Sequence, residues 1–155
     1  MTEASMIRLA TTADLLGVER CVHLAYNPYI DDVGKVPAPM LDDYGDLIER
    51  GVVRVAEAAG DVVGAIVMWA EPDHFYIDNI AVDPAHRSLG LGASLLDAAE
   101  AAARAADRSE IRLYTNEAMT SNIGYYQRRG FVETHRAVSD GYSRVYFARS
   151  IDGAT

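Results

Sequence analysis

The stretch Arg87-Ser88-Leu89-Gly90-Leu91-Gly92-Ala93 joins an apolar strand pattern to a long, alanine-rich helix pattern. The strand reads Phe75-Tyr76-Ile77-Asp78-Asn79-Ile80-Ala81-Val82, and the proline of the following Asp83-Pro84 cannot donate to a strand ladder. Glycines at positions 90 and 92 let the backbone come close to an anion, and the free amides of the first helical turn favour negative charge. The stretch therefore predicts a site for a ligand that carries phosphates.

Two other phosphate-binding motifs do not fit these residues. A Rossmann fingerprint needs a third glycine or an alanine three residues after the second glycine, where this chain has Leu95. A Walker loop needs Gly-Lys-Ser/Thr, and the sequence contains no such run.

The stretch resembles instead the acetyl-CoA loop of the Gcn5-related N-acetyltransferase (GNAT) superfamily, which reads Gln/Arg-x-x-Gly-x-Gly/Ala after an apolar strand. Arg87, Gly90 and Gly92 hold its three defined places. Farther along the chain, Tyr126 and Gly130-Phe131 match the Tyr-x-x-x-Gly-Phe that ends a helix in the family. The order and separation of the two motifs are more specific than either motif alone.

The predicted elements follow in the order β-α-α-β-β-β-α-β-α-β-β, which is also the order in the family. We expect a mixed α/β (α+β) fold in which a central sheet of about seven strands is flanked by about four helices, with residues 1–155 as one domain. The resemblance implies that the fourth and fifth strands splay apart and that the pantetheine arm of the coenzyme lies between them. The other predicted boundaries are strands at 6–10, 52–58, 62–70, 131–138 and 142–151, helices from 11 or 12 to about 26 and from 40 to 50, and a hairpin turn at Gly60-Asp61.

Length, cysteine content and hydropathy set further limits. A chain of 155 residues is long enough to bury a core without disulfides. The single cysteine, Cys21, lies beside a helical apolar stripe, which favours a buried structural thiol over a nucleophile. No basic-then-apolar leader opens the sequence and no apolar run reaches membrane-spanning length. We therefore expect a cytoplasmic protein without a membrane partner.

The charge balance is acidic, because 14 lysine and arginine residues face 23 aspartate and glutamate residues, for a net charge of −9. This balance opposes binding to nucleic acid or to anionic membranes and favours a cationic partner. It also repels coenzyme A, so the attraction must be local, from Arg87, the helix terminus and the basic residues His86, Arg128 or Arg129. The last two fit solvated helix-end charges equally well.

The resemblance implies that acetyl-CoA is the cofactor and that no metal takes part. In the family, the backbone of the fourth strand bonds to the pantetheine and the glycine loop holds the pyrophosphate. The commoner family pattern has an asparagine seven residues before the tyrosine, where this chain has Met119, so Asn116 and Asn122 on either side are both candidates. The expected cofactor-binding residues are Ile80, Ala81, Val82, Arg87, Ser88, Leu89, Gly90, Leu91, Gly92, Ala93, Asn116, Asn122, Tyr126 and Arg129.

Acetyl transfer from a thioester to an amine needs a neutral amine, a stabilised oxyanion and a proton for the leaving thiolate. A phenol with a pKa of about 10 can protonate a thiolate with a pKa of about 8.5. The family uses a tyrosine at the place of Tyr126 as this acid. The neighbouring Tyr125 points about 100 degrees away on a helix, and the spacing to Gly130-Phe131 selects Tyr126. A backbone amide between Ile80 and Val82 can meet the oxyanion.

The general base is left open among three residues. Asp78 shares the two-residue period of Ile80 and Val82 beside the expected acetyl site, although a bulge in the strand would reverse its face. Glu117 and His74, at strand ends, are the alternatives. No Ser-His-Asp or Cys-His spacing stands out, which favours direct attack of the amine on the thioester over an acyl-enzyme.

The amine substrate is expected at residues 26–44, a segment that contains prolines, tyrosines and acids. Aromatic rings and carboxylates can hold an amine by cation-π and ionic contacts, and prolines stiffen a loop. The same side chains fit a solvated surface equally well. The candidates are Tyr26, Tyr29, Asp31, Asp32, Met40, Asp43 and Tyr44.

The resemblance thus implies an N-acetyltransferase that moves an acetyl group from acetyl-CoA directly to a primary amine of a small molecule, a peptide or a protein. The acidity of the chain favours a cationic amine. The alternative is a non-catalytic acyl-CoA-binding module, which would bind the thioester without turning it over. Whether the chain forms a homodimer is left open.

Overall fold

The protein has a central seven-stranded sheet. The computed structural model describes residues 6–151, except for the side chains of Met6, Ser88 and Leu89. The strand order is β1-β2-β3-β4-β5-β7-β6, and β4 pairs with β5 in parallel while the other neighbours are antiparallel. Residues 1–5 and 152–155 of the expected domain lie outside the described residues. The strands are β1 Met6–Leu9, β2 Val53–Ala58, β3 Asp61–Ala70, β4 Phe75–Val82, β5 Glu110–Asn116, β6 Val132–Ser139 and β7 Tyr142–Ser150.

Helices cover both faces of the sheet. The first and third helices pack on one face, with Val18 and Val22 in a buried cluster with Ala65 of β3. The fourth helix packs on the other face through Leu95 and Ala99, whose spacing places them on one side of a helix. The mixed α/β fold predicted from the sequence is confirmed. The α-helices are α1 Leu15–Tyr26, α2 Ile30–Val33, α3 Tyr44–Glu49, α4 Leu91–Ala105 and α5 Thr120–Arg128.

The sheet opens into a fork between β4 and β5. Pairing between these strands ends at Ile77 and Leu113, although β4 continues to Val82 and β5 to Asn116. Beyond that point the facing strand edges no longer bond to one another, so their polar backbone groups are available to a ligand. The expected splay of the fourth and fifth strands is therefore confirmed.

A β-bulge in β4 decides where Asp78 lies. In the register with β3, Val67 pairs with Asn79 and Met68 pairs with Ile77, so Asp78 is the extra residue. Ile77 and Ile80 both pack against the cluster under α4, although a regular strand would place residues three apart on opposite faces. The bulge therefore puts Asp78 on the face opposite Ile80, which is the reversal that the sequence alone left open.

Two predicted boundaries were wrong. The helix predicted at 40–50 corresponds to α3, which begins at Tyr44 and not at Met40, because residues 38–41 form a 3-10 turn and Asp43 caps α3 by accepting from the Asp46 amide at 3.0 Å. The hairpin turn between β2 and β3 is Ala59-Gly60 and not Gly60-Asp61, because Asp61 already pairs with Ala58. Both turn residues have positive φ, 52° and 86°, as a type I′ turn requires.

Candidate active site

Two cavities meet in the fork between β4 and β5. The loop cleft lies between the 87–93 loop and α5, and its volume of about 450 Å³ is within the range of small-molecule sites. The fork cavity is narrower, about 40 Å³, and lies between the separated ends of the two strands. Five residues line both cavities and mark their junction: Tyr26, Ile80, Met119, Asn122 and Tyr126.

The loop cleft is built to receive an anion. Gly90 has a φ of +73° and directly precedes α4, and among the described atoms none lies within 4 Å of the place where a Cβ would stand. A Cβ on Gly92 would lie 3.0 Å from the hydroxyl of Tyr125, so this glycine makes room for that ring. The first amides of α4 have no partner within the helix. Arg87 and Arg129 also line the cleft and add positive charge near these amides.

The structure brings most of the expected cofactor-binding residues to the loop cleft. Ala81 and Leu91 are instead buried in the core, and the side chains of Ser88 and Leu89 lie outside the described part of the chain. Asn116 lines the fork cavity but not the loop cleft, and its side-chain oxygen accepts a hydrogen bond from the Ala118 amide at 2.9 Å. The expected cofactor-binding residues that line the loop cleft are Ile80, Val82, Arg87, Gly90, Gly92, Ala93, Asn122, Tyr126 and Arg129.

Tyr126 lies at the junction with its ring buried against Phe131 and Phe147, at centroid distances of 5.8 Å and 6.1 Å. Burial raises the pKa of its hydroxyl, which keeps the phenol protonated near neutral pH. Among residues 6–151, no group forms a hydrogen bond with this hydroxyl, whereas Tyr26 at the same junction donates to the Ile80 carbonyl at 3.0 Å. Tyr126 is thus the junction tyrosine whose proton is uncommitted.

Two carboxyl groups interact beside the fork cavity. Asp78 lines the cavity, and its carboxyl interacts with that of Asp42, which was not predicted from the sequence and lines a separate pocket beside Tyr44. Withdrawal of the carboxyl from water and the neighbouring Asp78 raise the pKa of Asp42 to about 6, although much of the residue is exposed. Desolvation also raises the pKa of Asp78. A carboxyl pair of this kind can accept a proton near neutral pH.

Of the adjacent acids Asp42 and Asp43, only Asp43 was predicted from the sequence to bind the substrate, and in the structure Asp43 caps α3. An aspartate immediately before a helix is a capping signal, so the sequence could have assigned Asp43 to the cap and left Asp42 as the free acid.

Several expected substrate and base residues do not reach the fork cavity. The exposed Asp31 and Asp32 lie on α2, and Met40 and Asp43 also stay outside both cavities. Tyr29 lines the loop cleft, where its hydroxyl is 3.1 Å from that of Ser121.

Tyr44, Glu117 and His74 line neither of the two cavities and have structural partners instead. Tyr44 is buried and donates to the Pro39 carbonyl at 2.6 Å, so it anchors the loop that covers the cavity. Glu117 is exposed and its carboxylate lies 3.5 Å from Arg136. His74 contacts Asp73 at the start of β4, at the opposite end of that strand from the junction.

Apart from Asn116, the residues of β5 and β7 that line the fork cavity were not predicted from the sequence. Arg144 lies with its guanidinium carbon 4.3 Å from the ring centroid of Tyr114 and 5.5 Å from that of Tyr142. Loop residues 37–39 close the opposite side. This loop is fastened to the β6–β7 hairpin, because Lys35 donates to the Gly141 carbonyl at 2.7 Å and Tyr142 donates to the Val36 carbonyl at 2.6 Å.

Three further observations bear on the expected chemistry. Within residues 6–151, no group of three or more His, Cys, Asp or Glu side chains is placed to hold a metal ion. No helix in that part of the chain has both the length and the apolar character needed to cross a bilayer. Cys21 is fully buried, and desolvation raises the pKa of its thiol to about 12, which leaves it protonated and unsuited to act as a nucleophile.

Comparison with known proteins gives a family and a fold. A model of the "Acetyltransferase (GNAT) family" matches residues 18–131. PaiA N-acetyltransferase from Thermoplasma acidophilum, solved in complex with coenzyme A, is 16% identical with a TM-score of 0.78, over 96% of this chain and 99% of that chain. Ard1 from Thermoplasma volcanium is 24% identical with a TM-score of 0.75, again over 96% and 99%.

A third similar structure is the ribosomal-protein-S18-alanine N-acetyltransferase from Escherichia coli, which is 19% identical with a TM-score of 0.71, over 97% of this chain and 96% of that chain. At these identities the likenesses show a common fold. Among curated protein sequences, no relative matches the chain.

Proposed function

The chain belongs to the acetyltransferase (GNAT) family, and from this premise we propose that it transfers an acetyl group from acetyl-CoA directly to a primary amine. The observation that carries the proposal is the meeting of the loop cleft and the fork cavity at Tyr126. One cavity has the charge and glycine geometry for a phosphate-bearing coenzyme, and the other has a carboxylate that suits an amine. Their junction is the place where thioester and amine would meet.

The residues of the loop cleft fit acetyl-CoA. The left-handed Gly90 and the first amides of α4 would hold the pyrophosphate, with Arg87 and Arg129 as counter-charges. The unpaired edge of β4 from Ile80 to Val82 would bond to the amides of the pantetheine arm. Asn122 lines both cavities and is the better placed of the two asparagine candidates.

Bound acetyl-CoA supplies a thioester carbonyl that an amine can attack. Tyr126 donates its uncommitted proton to the sulfur as the C–S bond breaks, and its raised pKa keeps that proton in place until then. A backbone amide of β4 near Ile80 faces the negative charge that develops on the carbonyl oxygen. The leaving sulfur and the carbonyl oxygen are thus each stabilised by a different group of this chain.

Asp78, paired with Asp42, is the base that removes the proton from the amine. An amine with a pKa near 10.4 is mostly protonated at neutral pH, so this step is required before attack. Asp78 lines the cavity that opens at Tyr126, and its raised pKa brings it closer to the pKa of the amine than that of an ordinary carboxylate. The narrow fork cavity favours a small amine over a bulky group.

The test is the release of free thiol when the pure protein is incubated with acetyl-CoA and a panel of amines, with the N-acetyl product identified by mass. Thiol release that requires both the amine and the protein supports the transferase. If acetyl-CoA binds but no amine accelerates thiol release, the chain is an acyl-CoA-binding module and the proposal is wrong.

A further inference from the structure

Arg144 is a buried cation whose donors are largely unused. Its side chain is only 8% exposed, and its one ion pair within residues 6–151 is a 3.4 Å contact with Asp140, whose side chain is 82% exposed. A guanidinium has five N–H donors, and burying the charge is costly unless those donors are satisfied. The fork cavity that Arg144 lines is where a partner for them would enter.

Two aromatic rings hold this guanidinium in position. Arg144 lies over Tyr114 and Tyr142, so that cation-π attraction offsets part of the burial cost. Such contacts use the flat face of the guanidinium and leave its N–H edge free. That edge matches the two oxygens of a carboxylate, which it can bind through two parallel hydrogen bonds.

The same cavity also carries negative charge. Asp78 lines the cavity, and it and the neighbouring Asp42 lie close enough for their charges to interact with that of Arg144, yet neither forms an ion pair with it. The cavity therefore has an anionic side and a cationic side that do not neutralise each other directly. A simple amine would satisfy the anionic side only.

Asn79 gives a second, independent sign of a missing ligand. Its side-chain nitrogen donates to the Tyr44 hydroxyl at 3.2 Å, while its buried oxygen Oδ1 has no partner among the described residues. The Asn79 amide must point its nitrogen towards Tyr44, because the Tyr44 hydroxyl donates its own hydrogen to the Pro39 carbonyl and can only accept from Asn79. The Asn79 side-chain oxygen is therefore a buried acceptor in the wall of the cavity that an N–H donor of a ligand could satisfy.

We propose that the amine substrate is a small amino acid, whose carboxylate binds Arg144 and whose amino group lies against Asp78 and Asn79. This inference rests on the proposed function and narrows its substrate class. The fork cavity is about 40 Å³ and adjoins the loop cleft at Tyr126, which limits the amino acid to a small one. Such a zwitterion satisfies both charged walls at once.

The test compares each of the common L-amino acids with its carboxamide and its decarboxylated amine. Binding is measured by calorimetry to the protein saturated with coenzyme A, and kcat/KM is measured with acetyl-CoA. The same measurements are made on Arg144→Gln and Arg144→Lys, with Arg149→Gln as the matched control. Arg149 is on the same strand, pairs with Glu100 at 3.1 Å and lines neither cavity.

The wild-type protein should prefer at least one amino acid over its carboxamide and its amine by about 10- to 100-fold, the range of a hydrogen-bonded charge pair. Arg144→Gln should abolish this preference, Arg144→Lys should restore part of it, and Arg149→Gln should leave it unchanged. A change in the substrate ratio cannot come from a general loss of stability. The wild-type comparison remains decisive even where a variant does not fold.

Equal binding of amino acids and decarboxylated amines would overturn the inference, as would a failure of every amino acid to bind. If other amines still released thiol, the proposed function would stand without this refinement. Conversely, binding of an amino acid that depends on Arg144, without thiol release from any amine, would support the binding site and contradict the transferase.

Discussion

The carboxyl groups of Asp42 and Asp78 lie close enough to shift the pKa of one another, with Asp78 in the wall of the fork cavity and Asp42 in the wall of a separate pocket beside Tyr44. Asp42 precedes α3, and Asp78 is the extra residue of the β4 bulge. The interaction between these two acids gives the site its own pH dependence, which is distinct from that of any bound amine.

The activity should follow the protonation of this pair. Because desolvation raises the pKa of the base Asp78, kcat/KM should fall by about tenfold per pH unit on the acid side of that raised pKa, where the base is protonated. In Asp42→Ala, the loss of the hydrogen bond that lowers the pKa of Asp78 should move this limb to higher pH. The measurement is a pH profile of kcat/KM for both proteins, and an identical limb in the two would remove the pair from the mechanism.

The stability of the fold should show the opposite trend with pH. The folded protein keeps a proton on Asp42 up to about pH 6, whereas the unfolded chain releases it near pH 4. The free energy of unfolding contributed by this group is therefore highest below pH 4 and falls as the pH rises to about 6. Urea denaturation at a series of pH values should show a weaker fall over that interval in Asp42→Asn, and an equal fall in both proteins would contradict the raised pKa.

The acids of residues 26–44 should separate into two groups. Asp31→Asn and Asp32→Asn together should leave the KM for the amine unchanged, because both residues are exposed and line neither cavity. Asp42→Asn should raise that KM, because it removes charge beside Asp78. Steady-state kinetics with acetyl-CoA at saturation measures both. A raised KM in the double variant on α2 would show that the amine binds along that helix instead.

The phosphate loop can be tested with two matched glycines. Gly90 and Gly51 have φ values of +73° and +75°, and nothing lies within 4 Å of a Cβ at either position. Gly90→Val and Gly51→Val should therefore carry a similar backbone strain. Acetyl-CoA at a hundredfold excess over its dissociation constant stabilises a fold by about 2.7 kcal/mol. The thermal shift should disappear in Gly90→Val and persist in Gly51→Val, and a shift that survives in both would exclude this loop as the coenzyme site.

The sequence was informative where a motif is local. Gly90 and Gly92 lie within one short stretch and Tyr126 within one helix, so local spacing was enough to select these residues, which the structure brings together in the loop cleft. The order of strands and helices also followed from local periodicity. These features need no knowledge of which strands become neighbours.

The side of the fork cavity that would hold the amine could not be predicted from local spacing. Arg144 reaches the fork cavity only because β7 inserts between β5 and β6, which is a long-range pairing. The face of Asp78 depends on a bulge that is set by its register with β3. Of the adjacent acids Asp42 and Asp43, the capping signal could have identified the second, but the approach of Asp42 to Asp78 depends on a contact between residues far apart in the sequence.

The central claim is that Tyr126 protonates the leaving thiolate at the junction of the two cavities, and the most direct test is the kinetics of Tyr126→Phe beside Tyr125→Phe. Phenylalanine keeps the buried ring against Phe131 but removes the hydroxyl. General acid catalysis is typically worth ~10²- to 10⁴-fold, so kcat for Tyr126→Phe should fall within that range while the dissociation constant of acetyl-CoA stays constant. Tyr125→Phe should change kcat little. Equal activity of Tyr126→Phe and the wild-type protein with every amine, or equal losses in the two variants, would contradict the account.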